Sequence, residues 1–368
     1  MKDLLSWDQT LFKDSELFEL DHVPEHFQHR DAQLQSLYFS VRPALSGGRP
    51  LNCLCVGPPG TGKTTAIIKV FEEIKKHTPK IIPVLVNCQA YSTRYAVFSQ
   101  LFNKLIGYAP PSSGASFNKV FGEVAKYLVE NERVLVVALD DMNYLFYENE
   151  VNDVLYSLLR AHETHPGAHV GVIAILSDTG VPHTLDPKVE SVFLPEEITF
   201  PQYSFGEVKD ILSNRAKLGF HHGVVDENVL VRITEHTSAL GDLRVGIDLL
   251  KRSALNAERR ASRTIALEDV DKAYDSSRLV HLSYVMRSLK KDEKMLIGLI
   301  ADSPKTSSGE LYEKFHSKTG LGYTCFYELL NKLGSVRLIN ADFTGKGSRG
   351  RSRVVTLRYH ADEIRTRL

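Results

Sequence analysis

One short stretch of the chain combines glycine, lysine and threonine at the spacing of a phosphate-binding loop. Backbone N–H groups of such a loop surround a polyphosphate, and the dipole of the following helix adds a positive end. The spacing predicts Lys63 on the β- and γ-phosphates of ATP or ADP, and the Thr64 hydroxyl on Mg²⁺. The residues predicted to contact the nucleotide here are Gly57, Pro58, Pro59, Gly60, Thr61, Gly62, Lys63, Thr64 and Thr65.

The segments on either side of this loop supply the strand and the helix that the motif requires. Residues 51–56 form an apolar run typical of a strand, and residues 66–74 have apolar positions at helical spacing. A chance glycine-rich turn with a surface lysine is the alternative, and it would need neither flanking element. The context therefore favours nucleotide binding.

A second stretch, residues 133–141, is an apolar run that ends in two carboxylates. An unbroken apolar run favours a strand buried on both faces of a parallel sheet, and ligands bind at the carboxyl ends of such strands. We expect Asp140 to hold Mg²⁺ through water and Asp141 to act as the base that activates water. The alternative is an acidic helix cap after a core strand.

The remaining pattern changes twice along the chain. Up to residue 200, predicted strands alternate with helices, which indicates a doubly wound parallel sheet. From residue 205 the pattern is helical, and after about residue 280 three amphipathic helices precede two β-like runs, the order of a winged helix. The further predicted strands are 81–86, 169–176, 197–200, 339–343 and 354–359, and the main helices are 95–106, 117–131, 207–218, 226–238, 241–260 and 288–300.

Length and composition agree with a multidomain soluble protein. The chain has 368 residues, which suggests two or three domains, and an ordinary apolar content of 43%. We expect no membrane partner and a cytoplasmic location, because no apolar run approaches the roughly 18 residues of a membrane span. The four cysteines form no C-x-x-C pair, and Cys53 and Cys55 are expected to be small core residues.

The net charge of zero conceals an uneven distribution. Residues 281–368 contain 16 lysines and arginines against 9 acidic residues, whereas the rest of the chain contains 29 against 36. A basic C-terminal segment favours a polyanionic partner, and a solvated lysine-rich surface is the alternative.

These features predict four segments. Residues 1–17 are an N-terminal tail or strap, and residues 18–200 an α/β nucleotide-binding domain. Residues 201–282 are a helical lid, and residues 283–368 a winged-helix DNA-binding domain.

Several sequence boxes, taken with the phosphate loop, resemble those of the archaeal origin-recognition/cell-division-control family of AAA+ replication initiators. The resemblance extends from Val23 to the C-terminus. It is carried by Pro24 with His29-Arg30-Asp31, by residues 111–114 and 185–189, by Phe200-Pro201-Gln202-Tyr203 with 210–216, and by Gly241-Asp242-Leu243-Arg244.

The resemblance implies a fold and specific roles. The fold would be an AAA+ P-loop NTPase, a parallel sheet with helices on both faces, followed by an all-α lid and a winged helix. Tyr203 and Arg215 would lie against the nucleotide. Arg244 would contact the phosphates as the lid sensor; the alternative is an ordinary surface arginine. Residues 90–118 would touch DNA.

In such an initiator, the bound nucleotide would control the recognition of double-stranded origin DNA on the nucleoid. The resemblance also implies that the protein assembles with other initiator copies and helps to load the replicative helicase.

Three positions depart from the family pattern. Asp141 stands where a glutamate is usual, Ser177 where the sensor asparagine is usual, and Lys188 where an arginine is often found. Lysine cannot form the bidentate fork that arginine makes with phosphate. We therefore expect tight nucleotide binding with slow hydrolysis, in which Lys63, Asp141, Ser177 and Arg244 are the catalytic residues.

Two groups of residues are candidates for DNA contact. Tyr323, Thr324 and Tyr327 begin the third helix of the predicted winged helix, which enters the major groove in that fold. The alternative for these three is core packing, which helical spacing predicts for their neighbours Phe326, Leu329, Leu330 and Leu333. Arginines among glycines suit a narrow minor groove, although a solubilising loop is the alternative. The wing cations are Lys346, Arg349, Arg351 and Arg353.

Two other functions remain open. A clamp-loader-like AAA+ protein would act mainly on protein, but its C-terminal collar would lack a basic wing. A DNA-binding transcription regulator would use ATP only as a structural ligand. ATP turnover with and without DNA distinguishes these possibilities from the initiator.

Overall fold

The computed structural model describes residues 10–111, 116–177, 184–303, 306–336, 338–343 and 353–368. The chain forms two compact units, Met1–Val270 and Asp271–Leu368. The boundary between them falls within helix α12.

The first unit contains a parallel sheet with helices on both faces, followed by a group of helices. Its strands are β1 (Cys53–Val56), β2 (Ile81–Asn87), β3 (Val134–Asp140), β4 (His169–Leu176) and β5 (Glu196–Thr199). The helices interspersed with these strands are α1 (Asp31–Leu45), α2 (Lys63–His77), α3 (Arg94–Ile106), α4 (Phe117–Glu130), α5 (Asn143–Tyr147), α6 (Val151–Leu159), α7 (Ala161–Thr164) and α8 (Pro187–Phe193). After the sheet come α9 (Phe205–Gly219), α10 (Glu227–Leu240), α11 (Leu243–Arg259) and α12 (Leu267–Ser288).

The sheet has the order β2-β3-β4-β1-β5, with parallel pairing throughout its described residues. Alternate residues of β3 serve opposite faces, as a strand period of two requires. Leu135, Val137 and Leu139 pack in a core with α3, α4 and α6, whereas Val136 and Ala138 pack in a core with α1 and α2. This arrangement confirms the doubly wound sheet expected from the apolar run.

An N-terminal segment, residues 10–19, packs against the helices that follow the sheet and is called the strap below. A 3₁₀ turn at Glu16–Phe18 buries Phe18, whose ring stacks on Phe220 at a centroid separation of 4.4 Å. The N–H groups of Lys13 and Asp14 donate to the carbonyl of Gly219. The first described residues therefore pack on α9, which comes about 200 residues later in the chain.

The described residues of the second unit form the C-terminal part of α12, followed by four helices and a small antiparallel sheet. Its elements are α13 (Lys291–Asp302), β6 (Thr306–Ser307), α14 (Ser308–Thr319), α15 (Tyr323–Ser335), β7 (Ile339–Phe343), β8 (Arg353–Leu357) and α16 (Ala361–Arg365). The strand order is β6-β8-β7. Phe315, Phe326 and Leu330 are fully buried in its core, as their helical spacing predicts for the last two.

Most predicted elements are confirmed, and the principal omission lies between β3 and β4. No helix was predicted between these two strands, but the structure has three, α5 to α7. Val151, Val154, Leu155 and Leu158 are buried on one side of α6. Their spacing is helical, so the signal was present in the sequence.

Three of the four cysteines are buried, and Cys53 and Cys55 lie in the core as predicted. Within the described ranges, no helix has the length and apolar character needed to cross a membrane.

Candidate nucleotide-binding and DNA-binding sites

The residues of the first unit that are predicted to hold and hydrolyse nucleotide meet because their strands are neighbours. β3, β4 and β1 lie side by side, so their carboxyl ends form one edge of the sheet. The phosphate loop follows β1, Asp140 and Asp141 follow β3, and Ser177 follows β4. Open α/β sheets bind ligands at this edge.

Lys63 is buried at the start of α2, with an exposed fraction of 4%. Its Nζ donates to the carbonyl oxygens of Gly57, at 2.7 Å, and Pro58, at 2.8 Å. Burial lowers the pKa of Lys63 to about 8; the charge of Arg244 also lowers it, while Asp141 and Asp140 oppose the shift. A cation held this way would gain from a phosphate nearby, since an opposite charge favours its charged form.

Two glycines of the loop allow the lid to approach it closely. Gly60 has φ 75°, and a methyl group there would lie 2.1 Å from Oδ1 of Asp242. Gly62 has φ 90°, and a methyl group there would lie 2.8 Å from the Tyr203 hydroxyl oxygen. A side chain at either position would be strained and would push the lid away from the loop.

Thr64 and Asp140 are joined in a manner suited to a hard cation. The Thr64 hydroxyl lies 3.1 Å from Oδ1 and 3.0 Å from Oδ2 of Asp140. Burial raises the pKa of Asp140, and the neighbouring Asp141 carboxylate raises it further. These oxygen donors fit Mg²⁺, which is bound by one or two carboxylates together with phosphate oxygens and water.

Asp141 and Ser177 also meet at this edge. The Ser177 hydroxyl donates to Oδ1 of Asp141 at 3.0 Å. Asp141 has φ 51°, a backbone conformation that is uncommon for a residue other than glycine. One carboxylate oxygen of the predicted base is therefore bound by the residue predicted as sensor.

The three lid residues predicted to contact nucleotide have different surroundings. The Tyr203 ring stacks on Arg30, whose guanidinium carbon lies 3.7 Å from the ring centroid. Arg244 is exposed in the first turn of α11. Arg215 is buried, and its guanidinium donates to the carbonyl of Leu17 in the strap. Tyr203 thus lies beside the loop, and the charge of Arg244 lowers the pKa of Lys63 within it. The described contact of Arg215, by contrast, is with the strap.

Arg30 is a site residue to which sequence reasoning gave no role. Its guanidinium is enclosed beside the phosphate loop and donates to the carbonyl of Thr61 at 3.0 Å. The only sequence signal was its place in the His29-Arg30-Asp31 box.

In the second unit, the predicted groove-facing residues begin α15. Tyr323 is 53% exposed and Thr324 is exposed, whereas Tyr327 is half-buried. The Tyr323 ring lies edge-on to Tyr312, at 5.1 Å between centroids, and Tyr312 stacks on His316. The structure therefore places aromatic side chains at the surface where α14 meets α15.

The wing lies largely beyond the residues that the structure describes. Lys346, Arg349 and Arg351 fall outside them, and Arg353 is described only as the first residue of β8, paired with Phe343. The hairpin of β7 and β8 that would carry the wing is present. The contact of its cations with DNA stays a prediction.

Residues 90–118 were expected to touch DNA, and their arginine is bound within the fold. The Arg94 guanidinium lies 4.1 Å from the Phe117 ring centroid, and its Nη1 lies 3.6 Å from the Asp153 carboxylate. Tyr108, 61% exposed, and the exposed Lys104 face solvent. Any DNA contact from the described part of this region would use such side chains.

The fold and the site define a class of protein before any relative is considered. A phosphate loop at the edge of a doubly wound sheet, with paired carboxylates and a helical lid, is typical of a P-loop ATPase. Two family models agree: residues 26–173 match one described as "AAA ATPase domain", and residues 209–275 match "Cdc6 AAA+ ATPase-type lid domain".

Curated relatives narrow this class to one family. The chain is 52% identical over 362 residues to ORC1-type DNA replication protein 2 of Methanosarcina mazei, covering 98% of this chain and 97% of that protein. It is 51% identical over 368 residues to ORC1-type DNA replication protein 3 of Haloarcula marismortui, covering 99% and 98%. The chain belongs to the family of ORC1-type DNA replication proteins.

A solved structure supports the same conclusion. The Aeropyrum pernix ORC1 protein, solved in complex with DNA, superposes with a TM-score of 0.73 at 26% identity, covering 98% of this chain and 97% of that one. The family predicted from the sequence boxes, and the AAA+ fold that it implied, are confirmed.

Proposed function

We propose that this protein is a DNA replication initiator whose bound nucleotide acts as a slow switch. The observation that carries the proposal is the meeting of Lys63, Thr64, Asp140 and Asp141 at one edge of the sheet, in a chain of the ORC1-type family. ATP or ADP would bind the phosphate loop, and Mg²⁺ would be held by Thr64 and Asp140.

Each residue has a defined part in this proposal. Loop N–H groups and Lys63 hold the phosphates, and Lys63 exchanges its two carbonyl acceptors for phosphate oxygens. Mg²⁺ held by Thr64 and Asp140 would neutralise charge on the phosphates. Asp141 accepts the proton of the attacking water, and Arg244 adds positive charge from the lid. Tyr203 and Arg215 are proposed to contact the nucleotide as well.

Slow hydrolysis follows from the contacts of the proposed base. Asp141 has the shorter acidic side chain, and Ser177 already occupies one of its oxygens. Lys188 is exposed on α8 and offers a point charge where an arginine would offer a fork. The protein would therefore remain in one nucleotide state long enough to act on DNA.

We propose that the second unit binds duplex origin DNA as a winged helix. The order of α13, α14, α15 and the β7–β8 hairpin matches that fold. The basic balance of residues 281–368 and the A. pernix ORC1 structure with DNA support this assignment. Residues 90–118 would add a contact from the first unit. Assembly with other copies and recruitment of the replicative helicase on the nucleoid complete the proposal.

The switch is tested by separating binding from hydrolysis. Asp141→Asn should lower single-turnover ATP hydrolysis by roughly 100-fold or more, because a positioned base contributes at least that much. ADP affinity should stay within about threefold, since the residue is not proposed to hold phosphate. Asp292→Asn makes the same chemical change on the exposed surface of α13 and should alter neither quantity.

Two results would contradict the proposal. Turnover by the unmodified protein at the rate of an AAA+ motor would exclude a slow switch. A footprint on origin-containing duplex no stronger than on unrelated DNA would exclude origin recognition and favour a nucleotide-liganded protein of another function.

A further inference from the structure

Arg30 donates to backbone carbonyls of two distant segments of the first unit and of its own preceding residue. Its Nε donates to the carbonyl of Thr61 in the phosphate loop at 3.0 Å, and its Nη2 to the carbonyl of Pro201, four residues before α9, at 2.7 Å. Its Nη1 donates to the carbonyl of His29 at 2.8 Å. The side chain therefore connects the loop directly to the segment that leads into the lid.

This guanidinium is a buried cation to which no carboxylate among the described residues is directly hydrogen-bonded. Arg30 is 2% exposed, and in the described chain its hydrogen-bond acceptors are backbone carbonyls. Burial lowers its pKa, and the Glu207 carboxylate opposes the shift through space. Burying a charge is costly unless it is paired or fully hydrogen-bonded. Such a cation requires an explanation beyond packing.

His29, the residue before Arg30, has a strained backbone conformation that helps to place Arg30 between the loop and the lid. His29 has φ 61°, a region that few non-glycine residues adopt and that costs free energy. The His29 ring faces α9, with Nε2 3.6 Å from the Asp210 carboxylate and Nδ1 4.0 Å from that of Glu207. The turn at His29 therefore directs one side chain to the lid and the next between lid and loop.

The Tyr203 ring completes the enclosure. It stacks on the Arg30 guanidinium, and its hydroxyl lies against Gly62. Thr61 O and Gly62 N–H belong to the same peptide group. A donor on this carbonyl polarises the peptide and strengthens its N–H as a donor, because linked hydrogen bonds reinforce each other.

We propose that Arg30 is a positioning residue that couples occupancy of the phosphate loop to the position of the lid. The inference rests on the proposed nucleotide site and assigns its regulation to this side chain. Phosphate in the loop stabilises the buried cation, and the cation holds Thr61 and Pro201 together. The nucleotide is then bound most tightly when loop and lid are joined.

ADP with Mg²⁺ is the probe, measured by calorimetry on the full chain. Arg30→Gln should weaken ADP binding about 10- to 100-fold, the loss expected for hydrogen bonds from a charged group. Arg30→Lys keeps the charge, but its N–H groups are all on one nitrogen and cannot reach the three carbonyls that Nε, Nη1 and Nη2 bind separately. Its ADP affinity should therefore stay within about threefold of that of Arg30→Gln. Arg30→Lys also decides the question if the glutamine variant does not fold.

Arg49 offers a matched control. Its guanidinium is half-buried and, like that of Arg30, donates to backbone carbonyls, those of Val170 at 3.3 Å and Leu159 at 2.6 Å. These acceptors are on β4 and α6, not on the phosphate loop. Arg49→Gln should lower the melting temperature of the nucleotide-free protein but leave ADP affinity within about threefold, because the loop keeps its bridge to the lid.

Hydrogen exchange provides a readout that a purely structural role would not change. In the unmodified protein, ADP should protect residues 57–65 and 201–216 together. In Arg30→Lys at saturating ADP, protection should remain at 57–65 and be lost at 201–216.

The contrary outcomes separate the coupling role of Arg30 from the nucleotide site on which it rests. Wild-type affinity in Arg30→Gln, or full recovery in Arg30→Lys, would overturn the coupling role. Joint protection of both segments in Arg30→Lys would also overturn it. Absence of ADP binding to the unmodified protein would instead refute the proposed nucleotide site itself.

Discussion

The nucleotide site of the first unit and the proposed DNA surface of the second hold their ligand-contacting side chains in opposite ways. Lys63 and Arg30 are buried, with exposed fractions of 4% and 2%, and each is bound to backbone carbonyls. Tyr323 and Thr324 on α15 are exposed. One site is assembled before its ligand arrives, whereas the other presents groups to solvent.

The difference follows from the two ligands. A small polyphosphate is bound by a few groups whose hydrogen bonds are strong because water is excluded. A duplex is a long polyanion, bound through many exposed cations by the release of counterions. We therefore expect single substitutions to be severe in the first unit and modest in the second.

The largest effect is expected at Lys63. Lys63→Ala should weaken ADP binding about 100-fold, because it removes a buried cation from the phosphates. Lys69→Ala, on the same helix, removes a lysine that pairs with Glu72 at 3.5 Å and should have little effect. Calorimetric titration measures both. Equal losses in the two variants would mean that the loop is not the phosphate site.

A smaller effect is expected from a change of pH, which should alter the stability of the first unit through Lys63. Between pH 8 and the ordinary lysine pKa of 10.5, the unfolded protein holds more protons at Lys63 than the folded one. This group therefore makes the nucleotide-free fold more stable as pH rises through that window, and less stable below it.

ADP binding should show the matching pH dependence. Phosphate raises the pKa of Lys63, so binding takes up a proton, and affinity should fall about tenfold from pH 7 to pH 9. Titration in buffers of different ionisation enthalpy measures the uptake. Lys63→Ala should abolish this dependence; its persistence would assign it to another group.

The smallest effect is expected in the second unit. Replacing Arg349 and Arg351 with serine should weaken duplex binding about fivefold and reduce the salt slope by about two. Lysine at both positions keeps the charge and should keep the slope. Anisotropy titrations across salt concentrations measure it. A loss as large as that of Lys63→Ala would show that the wing is as preformed as the nucleotide site.

The sequence alone predicted the local elements of both regions. The spacing from Gly57 to Thr64 encodes a strand, a loop and a helix, because backbone conformation depends mainly on nearby residues. Continuous apolar runs predicted β3 and β4, and helical spacing predicted the buried residues Phe326 and Leu330, all confirmed. Helix α6 was missed although its apolar residues have helical spacing.

Only the tertiary structure decided which distant groups meet. Strand order places Asp140 against Thr64, and Asp141 against Ser177, which spacing along the chain does not specify. The same limit applies to arginine. Nothing local distinguishes Arg215, whose described partner is Leu17, from Arg30, which bridges loop and lid. An arginine can satisfy its donors with many acceptors, and packing of remote segments selects among them.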